Sequence, residues 1–234
     1  MKSNGWRRDG RIYAFFICSK QKRCAMIGGN HWLRETAGRS GPYVVHERGK
    51  NMALAQIRTF TEEDYYNLPE DIRAELINGQ IYYMSAPSRI HQKILNFLNT
   101  EINLYIRSKE GSCEVYPAPF AVKLSEDDDR TIVEPDISVI CDPDKLTDRG
   151  CTGAPDWIIE IVSPSTSSHD YVRKLNLYMD AGVREYWIVD PQKASVYVYH
   201  LEETKFETTA YTFRDRIKAN IYDDLWIDFH DFEG

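Results

Sequence analysis

Six residues, Trp157-Ile158-Ile159-Glu160-Ile161-Val162, hold a single charge within an otherwise apolar run. Such a run marks a strand covered on both faces, and an ionised carboxylate taken out of water must be neutralised, paired or bound to a cation. The chain is therefore constrained to fold around an interior acid. A second acid with the same problem lies 24 residues earlier. In Ile132-Val133-Glu134-Pro135-Asp136-Ile137-Ser138-Val139-Ile140, alternation puts Glu134, Asp136 and Ser138 on one face and Val133, Ile137 and Val139 on the other. Asp136 thus sits in a strand suited to burial. Two carboxylates on adjacent central strands share one remedy, because Mg²⁺ or Mn²⁺ accepts oxygen ligands from one or two acids and keeps several waters.

Without a metal, at least one of the two acids should hold a proton near neutral pH or lean on Lys174. A purely structural alternative stays open: Asp136 paired with a surface base, and Glu160 bridged to Lys174 or Arg173. Lys174 shares a helix face with Asp170 and Tyr178, at i−4 and i+4. It is either a surface partner of Asp170 or an ammonium reaching over the strand end towards an attacking water or a phosphate.

Around these residues the pattern predicts an α/β (α+β) fold. Thr61-Glu62-Glu63-Asp64 starts a short helix over 61–68. Ala74 to Ile77 and Gln80 to Met84, joined by Asn78-Gly79, form a hairpin. From Ser88 to Ser108 the apolar residues Ile90, Ile94, Phe97, Leu98, Ile102, Tyr105 and Ile106 recur at helical spacing. Strands are expected at 114–124, 132–141, 157–162 and 185–189, with a helix from Ser167 to Ala181 ended by Gly182. That helix carries Val172, Leu175, Tyr178 and Met179 at helical spacing. Further β runs appear at 195–201, 206–211 and 225–229.

The five cysteines, at 18, 24, 113, 141 and 151, show neither a Cys-x-x-Cys pair nor a disulfide framework, which suits a reducing cytoplasm. Arg7, Arg8 and Arg11 before the apolar run Ile12–Cys18 faintly mimic a signal peptide, but no small-residue cleavage site follows. Seven apolar residues cannot span a bilayer, which takes roughly 20. Charge divides the chain. Residues 1–51 hold eleven Lys/Arg and three Asp/Glu, net +8, which leaves 18 basic and 33 acidic groups, net −15, over 52–234. With Gly28-Gly29-Asn30 and Gly38-Arg39-Ser40-Gly41-Pro42, the first part reads as loop or disorder, a basic non-core extension before a domain starting near Met52. The alternative is a basic nucleic-acid-binding arm.

Pro135-Asp136 followed by Glu160-Ile161-Val162, on the second and third strands of a helix-β-β-β-helix-β unit, resembles the PD-(D/E)XK nuclease superfamily. Further segments resemble the bacterial "Uma-two" restriction endonuclease family: Glu75-Leu76-Ile77-Asn78-Gly79-Gln80-Ile81-Tyr82, Pro87 with His91, Glu134-Pro135-Asp136-Ile137, Ile159 to Thr166, Lys174-Leu175-x-x-Tyr178, Gly182-Val183-x-Glu185-Tyr186-Trp187 and Val189-Asp190-Pro191. The likeness covers residues 52–230. It implies a restriction-endonuclease-like core with a mixed central sheet and added hairpins, in which Asp136, Glu160 and the carbonyl of Ile161 hold Mg²⁺ or Mn²⁺. Val162 stands where the superfamily usually has its lysine, and Lys174 matches the position that takes over that role. Glu75 matches a recurrent family acid, to be weighed against a hairpin charge paired across the turn. His91 matches a position read as structural.

The implied activity is metal-dependent hydrolysis of DNA by a cytoplasmic endonuclease. Against it stands the −15 of the main domain, which gives little diffuse attraction for phosphates. That charge and Val162 motivate the alternative, a non-catalytic nuclease-fold module binding nucleic acid or a protein partner. Hydrolysis of another phosphate ester is a third reading. A homodimer through the aromatic-rich final strands, including Trp226 and Phe229, is a further expectation.

Overall fold

The computed structural model describes residues 58–163, 168–202 and 205–232, and the backbone of four strands between residues 5 and 34. The chain divides into two compact units, Met1–Arg58 and Thr59–Gly234. In the first, β1 (Gly5–Arg8), β2 (Arg11–Cys18), β3 (Lys22–Met26) and β4 (Trp32–Arg34) form one antiparallel sheet in sequence order. Loop or disorder was the expectation here; the β-prone run Ile12–Cys18 instead lies in a strand. Gly28-Gly29-Asn30 and Gly38–Pro42 fall outside the described residues.

The second unit begins with α1 (Glu62–Tyr66), capped by Thr61 and Asp64 bonding to each other's backbone amides. The hairpin β5 (Ala74–Ile77) and β6 (Gln80–Tyr83) turns at Asn78 and Gly79, with φ of 51° and 76°. These are the positive angles that a tight hairpin requires. α2 (Arg89–Ser108) follows its Ser88 cap and buries Ile94, Leu98, Ile102 and Ile106. Next come β7 (Glu114–Pro117), β8 (Ala121–Lys123), β9 (Ile132–Val133), β10 (Ile137–Ile140), β11 (Leu146–Thr147), β12 (Gly150–Thr152) and β13 (Trp157–Ile161). After α3 (Ser168–Ala181) the chain continues through β14 (Glu185–Asp190), β15 (Ser195–Glu202), β16 (Lys205–Thr212), β17 (Arg216–Lys218) and β18 (Trp226–Asp228).

The central sheet runs β16-β15-β14-β13-β10-β7, with β13 and β14 parallel and the other pairs antiparallel. Its inner part is the expected helix-β-β-β-helix-β unit: α2, β7, β10, β13, α3, β14. A second sheet, β11-β12-β8-β9-β5-β6, carries the hairpin. The stripe of α2 packs with Ile137, Val139, Trp157, Ile159, Trp187 and Val189. The opposite face of the central sheet, with Ile140, Ile158, Tyr186 and Ile188, packs with Tyr178 of α3 and with Val122 and Val133 of the second sheet. Coverage on both faces is why Trp157–Ile161 is buried throughout.

Three expectations need correction. The strands expected over 114–124 and 132–141 are each two strands, in different sheets. Pro117, Pro119 and Pro135 lack the N–H that a continuing ladder needs, so the chain leaves one sheet and enters the other. On α3 the apolar spacing misled: Val172 and Met179 are exposed, while Tyr178 and Lys174 are buried. Lys174 therefore belongs to the interior face and not to the helix surface; the Asp170 side chain falls outside the described residues. Finally, Cys113 and Cys141 are disulfide-bonded, one step beyond the β7–β10 pair Glu114–Ile140. Only strand register brings these cysteines together, so spacing along the chain could not show it. Cys151 is buried and unbridged. Among the described residues no helix is long and apolar enough to cross a membrane.

Candidate active site

The β10–β13 ladder pairs Ile137 with Ile159 and Val139 with Trp157. One step further along, Asp136 stands opposite Glu160, at the end of the central sheet where the chain crosses from β9 to β10. The main-chain N–H of Ile161 donates to Asp136 Oδ2 at 2.7 Å. Both acids are buried, and both line one cavity of about 340 Å³ together with Glu75, His91, Ile161 and Lys174. The structure thus brings Asp136, Glu160, Ile161, Lys174 and Glu75, the candidate site residues of the sequence, to one cavity with His91.

The side chains reach this point from several elements. Lys174, buried on α3, donates from Nζ to Glu160 Oε1 and to Glu75 Oε1, both at 2.8 Å. One turn on, the Tyr178 hydroxyl donates to the same Glu160 oxygen at 2.7 Å. Glu75, on β5, also accepts the main-chain N–H of Glu134 at 3.1 Å. Its charge is not paired across the hairpin turn; it is half of a buried clamp on Lys174. His91, in the first turn of α2, places Nε2 3.1 Å from each oxygen of Asp136. A carboxylate only accepts, so Nε2 carries the proton and donates. The partner of Asp136 is a buried imidazole and not a surface base.

One ammonium thus faces two carboxylates directly, with a third close by. Burial pushes the Glu160 carboxyl up to about 7; Asp136 and Glu75 push the same way, and Lys174 opposes them. For Lys174, burial favours the neutral amine but is outweighed by Glu160 and Glu75, so the ammonium is held more tightly than usual. Tyr178 remains a hydroxyl donor, raised well above the ordinary phenol by burial and by Glu160. The anticipated accommodation of two like charges therefore takes both forms at Glu160: a raised proton affinity and a lysine partner.

Among the described residues, no three His, Cys, Asp or Glu side chains form a ready metal cluster. The donor chemistry still suits a hard cation. Glu160 engages Lys174 and Tyr178 through Oε1 only, the facing acid is Asp136, and a Mg²⁺ ion completes its shell with water. Tyr178 is read in the sequence as part of an apolar stripe and as the i+4 neighbour of Lys174, without a role at the acids. The available signal was its i+4 spacing from Lys174, which puts two polar groups over one acid.

A family model described as "Uma2: Putative restriction endonuclease" matches residues 62–229. The chain belongs to the Uma2 family. Its fold is also that of a crystal structure titled as a putative nuclease belonging to DUF820 from Anabaena variabilis. That structure is 21% identical, with a TM-score of 0.61, over 74% of this chain and 97% of that one. An uncharacterized protein from Synechocystis is 28% identical over 141 residues, 59% of this chain and 72% of its own length. Within this Uma2 chain the restriction-endonuclease-like fold, consistent with the PD-(D/E)XK superfamily, holds the acids as described. The aromatic residues proposed for a dimer surface separate: Phe229 is core, packed on Phe97 and Phe213, whereas Trp226 is 45% exposed.

Proposed function

We propose that this Uma2 protein is a metal-dependent endonuclease that hydrolyses phosphodiester bonds of DNA. The observation that carries the reading is the convergence of Asp136 and Glu160 in one cavity, with Lys174 held against Glu160. The carboxylates of Asp136 and Glu160, with the main-chain carbonyl of Ile161, are the groups that would hold Mg²⁺ or Mn²⁺. When bound, the cation supplies Lewis acidity to the phosphoryl oxygen and orients water for attack.

The protein's own groups do the rest. His91 and the Ile161 N–H fix the Asp136 carboxylate from two directions, so its rotamer is set before any ligand arrives. Lys174 holds a proton at Nζ beside Glu160 and stabilises negative charge developing on the phosphate. Glu75 anchors that ammonium from the far side, and Tyr178 fixes the Glu160 oxygen that Lys174 shares.

A second reading has its own support. With Lys174 between Glu75 and Glu160, two of the acids already share a cation without a metal, as a non-catalytic nuclease-fold module would require. The two readings part on Mn²⁺ calorimetry of the wild type and Glu160→Gln, combined with a plasmid-cleavage assay of the wild type and Asp136→Ala. Glu160-dependent Mn²⁺ binding and Asp136-dependent cleavage are the expected results. Cleavage by Asp136→Ala at the wild-type rate, with circular dichroism showing both folded, rejects the nuclease reading.

A further inference from the structure

Arg73, the residue before β5, also lines the cavity, and its side chain is 35% exposed. Its Nε and Nη2 both donate to Glu134 Oε2, at 3.2 and 3.0 Å. The other oxygen of that buried carboxylate accepts the hydroxyl of Tyr65 at 2.9 Å. Tyr65 is itself buried on α1. A carboxylate immobilised by a tyrosine thus fixes one edge of a guanidinium, and Nη1 takes part in neither bond. Nothing in the metal-dependent reading uses these three residues.

The charges around the cavity give them a use. Among the described residues lining it, the permanent cations are Arg73 and Lys174, facing Glu75, Asp136 and Glu160. Lys174 is buried and committed to two carboxylates. A phosphodiester approaching the cleft meets more negative than positive charge, within a domain whose net charge over residues 52–234 is −15. Diffuse attraction is weak there. A specific contact has to hold the strand, and a partly exposed, pre-oriented guanidinium suits a phosphate better than a mobile ammonium does.

We propose that Arg73 is the phosphate-binding residue of this cleft, oriented by Glu134 and Tyr65 to hold a non-bridging oxygen of a nucleic-acid strand. This rests on the nuclease reading for its ligand class, and the test separates the two. Binding of a fluorescein-labelled DNA oligonucleotide, single-stranded and duplex, is followed by anisotropy with Ca²⁺ in place of Mg²⁺, across a range of salt concentrations. Arg73→Ala weakens binding by about tenfold or more, and lowers the slope of log affinity against log salt by about one. Arg73→Lys restores part of the affinity. Glu134→Gln, which leaves the Arg73 charge in place but loosens the orientation of its guanidinium, loses several-fold with the slope unchanged. Mn²⁺ binding by calorimetry stays at the wild-type level in Arg73→Ala.

Equal affinity and equal slope in wild type and Arg73→Ala overturn the assignment, as does a wild type that binds no DNA. In the first case, Asp136-dependent cleavage by the wild type leaves the nuclease reading standing. Arg73-dependent binding without any cleavage does the reverse. Should the stranded Glu134 unfold Arg73→Ala, the double variant Arg73→Met/Glu134→Gln removes both charges and is measured instead. Wild-type affinity in that variant equally overturns the assignment.

Discussion

Glu160 and Glu185 are the same residue type on neighbouring parallel strands of the central sheet, and burial pushes both carboxyls up to about 7. Their surroundings differ. Glu185 is fully buried and accepts Trp187 Nε1–H at 2.7 Å, the Ile221 N–H at 2.9 Å and Asn220 Nδ2 at 3.3 Å. No cation touches it in these contacts, and it does not line the cavity. Neutral donors satisfy its lone pairs, and it ties β14 to the segment before β18. Glu160 faces a lysine, a tyrosine and a second acid at the rim of a cleft. A raised carboxyl therefore does not by itself mark an active site. The second charge and the open space beside it do.

The sharpest test makes one chemical change in both places. Glu160→Gln is expected to lower Mg²⁺-dependent plasmid cleavage by ~10³-fold or more, the scale on which removal of a catalytic group acts. Glu185→Gln should leave cleavage within about threefold once folding is confirmed, because remote substitutions do not enter the transition state. Equal losses at the two positions would remove the distinction between site and scaffold.

Next in size is Lys174→Met, which leaves Glu75 and Glu160 buried without their cation. Breaking a buried pair from one side costs about 3–5 kcal/mol, read here from urea unfolding at neutral pH. The penalty should grow as pH rises above 7, because Lys174 holds the Glu160 carboxyl down to about 7; without it Glu160 keeps its proton to higher pH, and its contribution to stability goes on falling where that in the wild type has levelled off. A penalty independent of pH would mean that Lys174 contributes packing and not charge.

Glu185 makes the corresponding statement for the scaffold. Its carboxyl titrates at about 7 in the folded protein against 4.5 in the free side chain, so the folded state binds the proton more tightly. That contribution to stability is complete below pH 4.5 and is lost as pH rises through 7. A shift of this size corresponds to roughly 3 kcal/mol. Unfolding free energies across this range should fall less steeply in Glu185→Gln than in the wild type. An unchanged slope would show that the three donors already hold the carboxylate ionised.

Much of this arrangement was legible in the residues. A lone Glu160 in an apolar run, and Asp136 at an alternating position on a neighbouring strand, announce themselves through the cost of burying charge. The hairpin followed from Asn78-Gly79, and α2 from its spacing. What stayed hidden depends on contacts far apart in sequence. Glu75 is singled out only by the family likeness, and its own surroundings in sequence are those of a hairpin acid until Lys174, 99 residues away, is placed against it. Cys113 and Cys141 become neighbours only through β7–β10 register. Prolines 117, 119 and 135 pointed to the sheet crossing, but alternating apolar residues on both sides imitated continuous strands.

The face presented by α3 was the least legible element, and it yields the smallest predicted effect. Spacing grouped Val172 with Tyr178, yet Val172 is 60% exposed while Tyr178 and Lys174 point inward. A helix can turn only one face to the sheet, so an exposed Val172 and a buried Lys174 are a single statement about rotation about the helix axis. Val172→Lys should accordingly change the unfolding free energy by no more than about 0.5 kcal/mol. Burying a lysine at an apolar contact would cost several times that amount. A loss on that larger scale would mean that α3 is turned the other way. Lys174 would then leave Glu160, and the contrast with Glu185 would disappear with it.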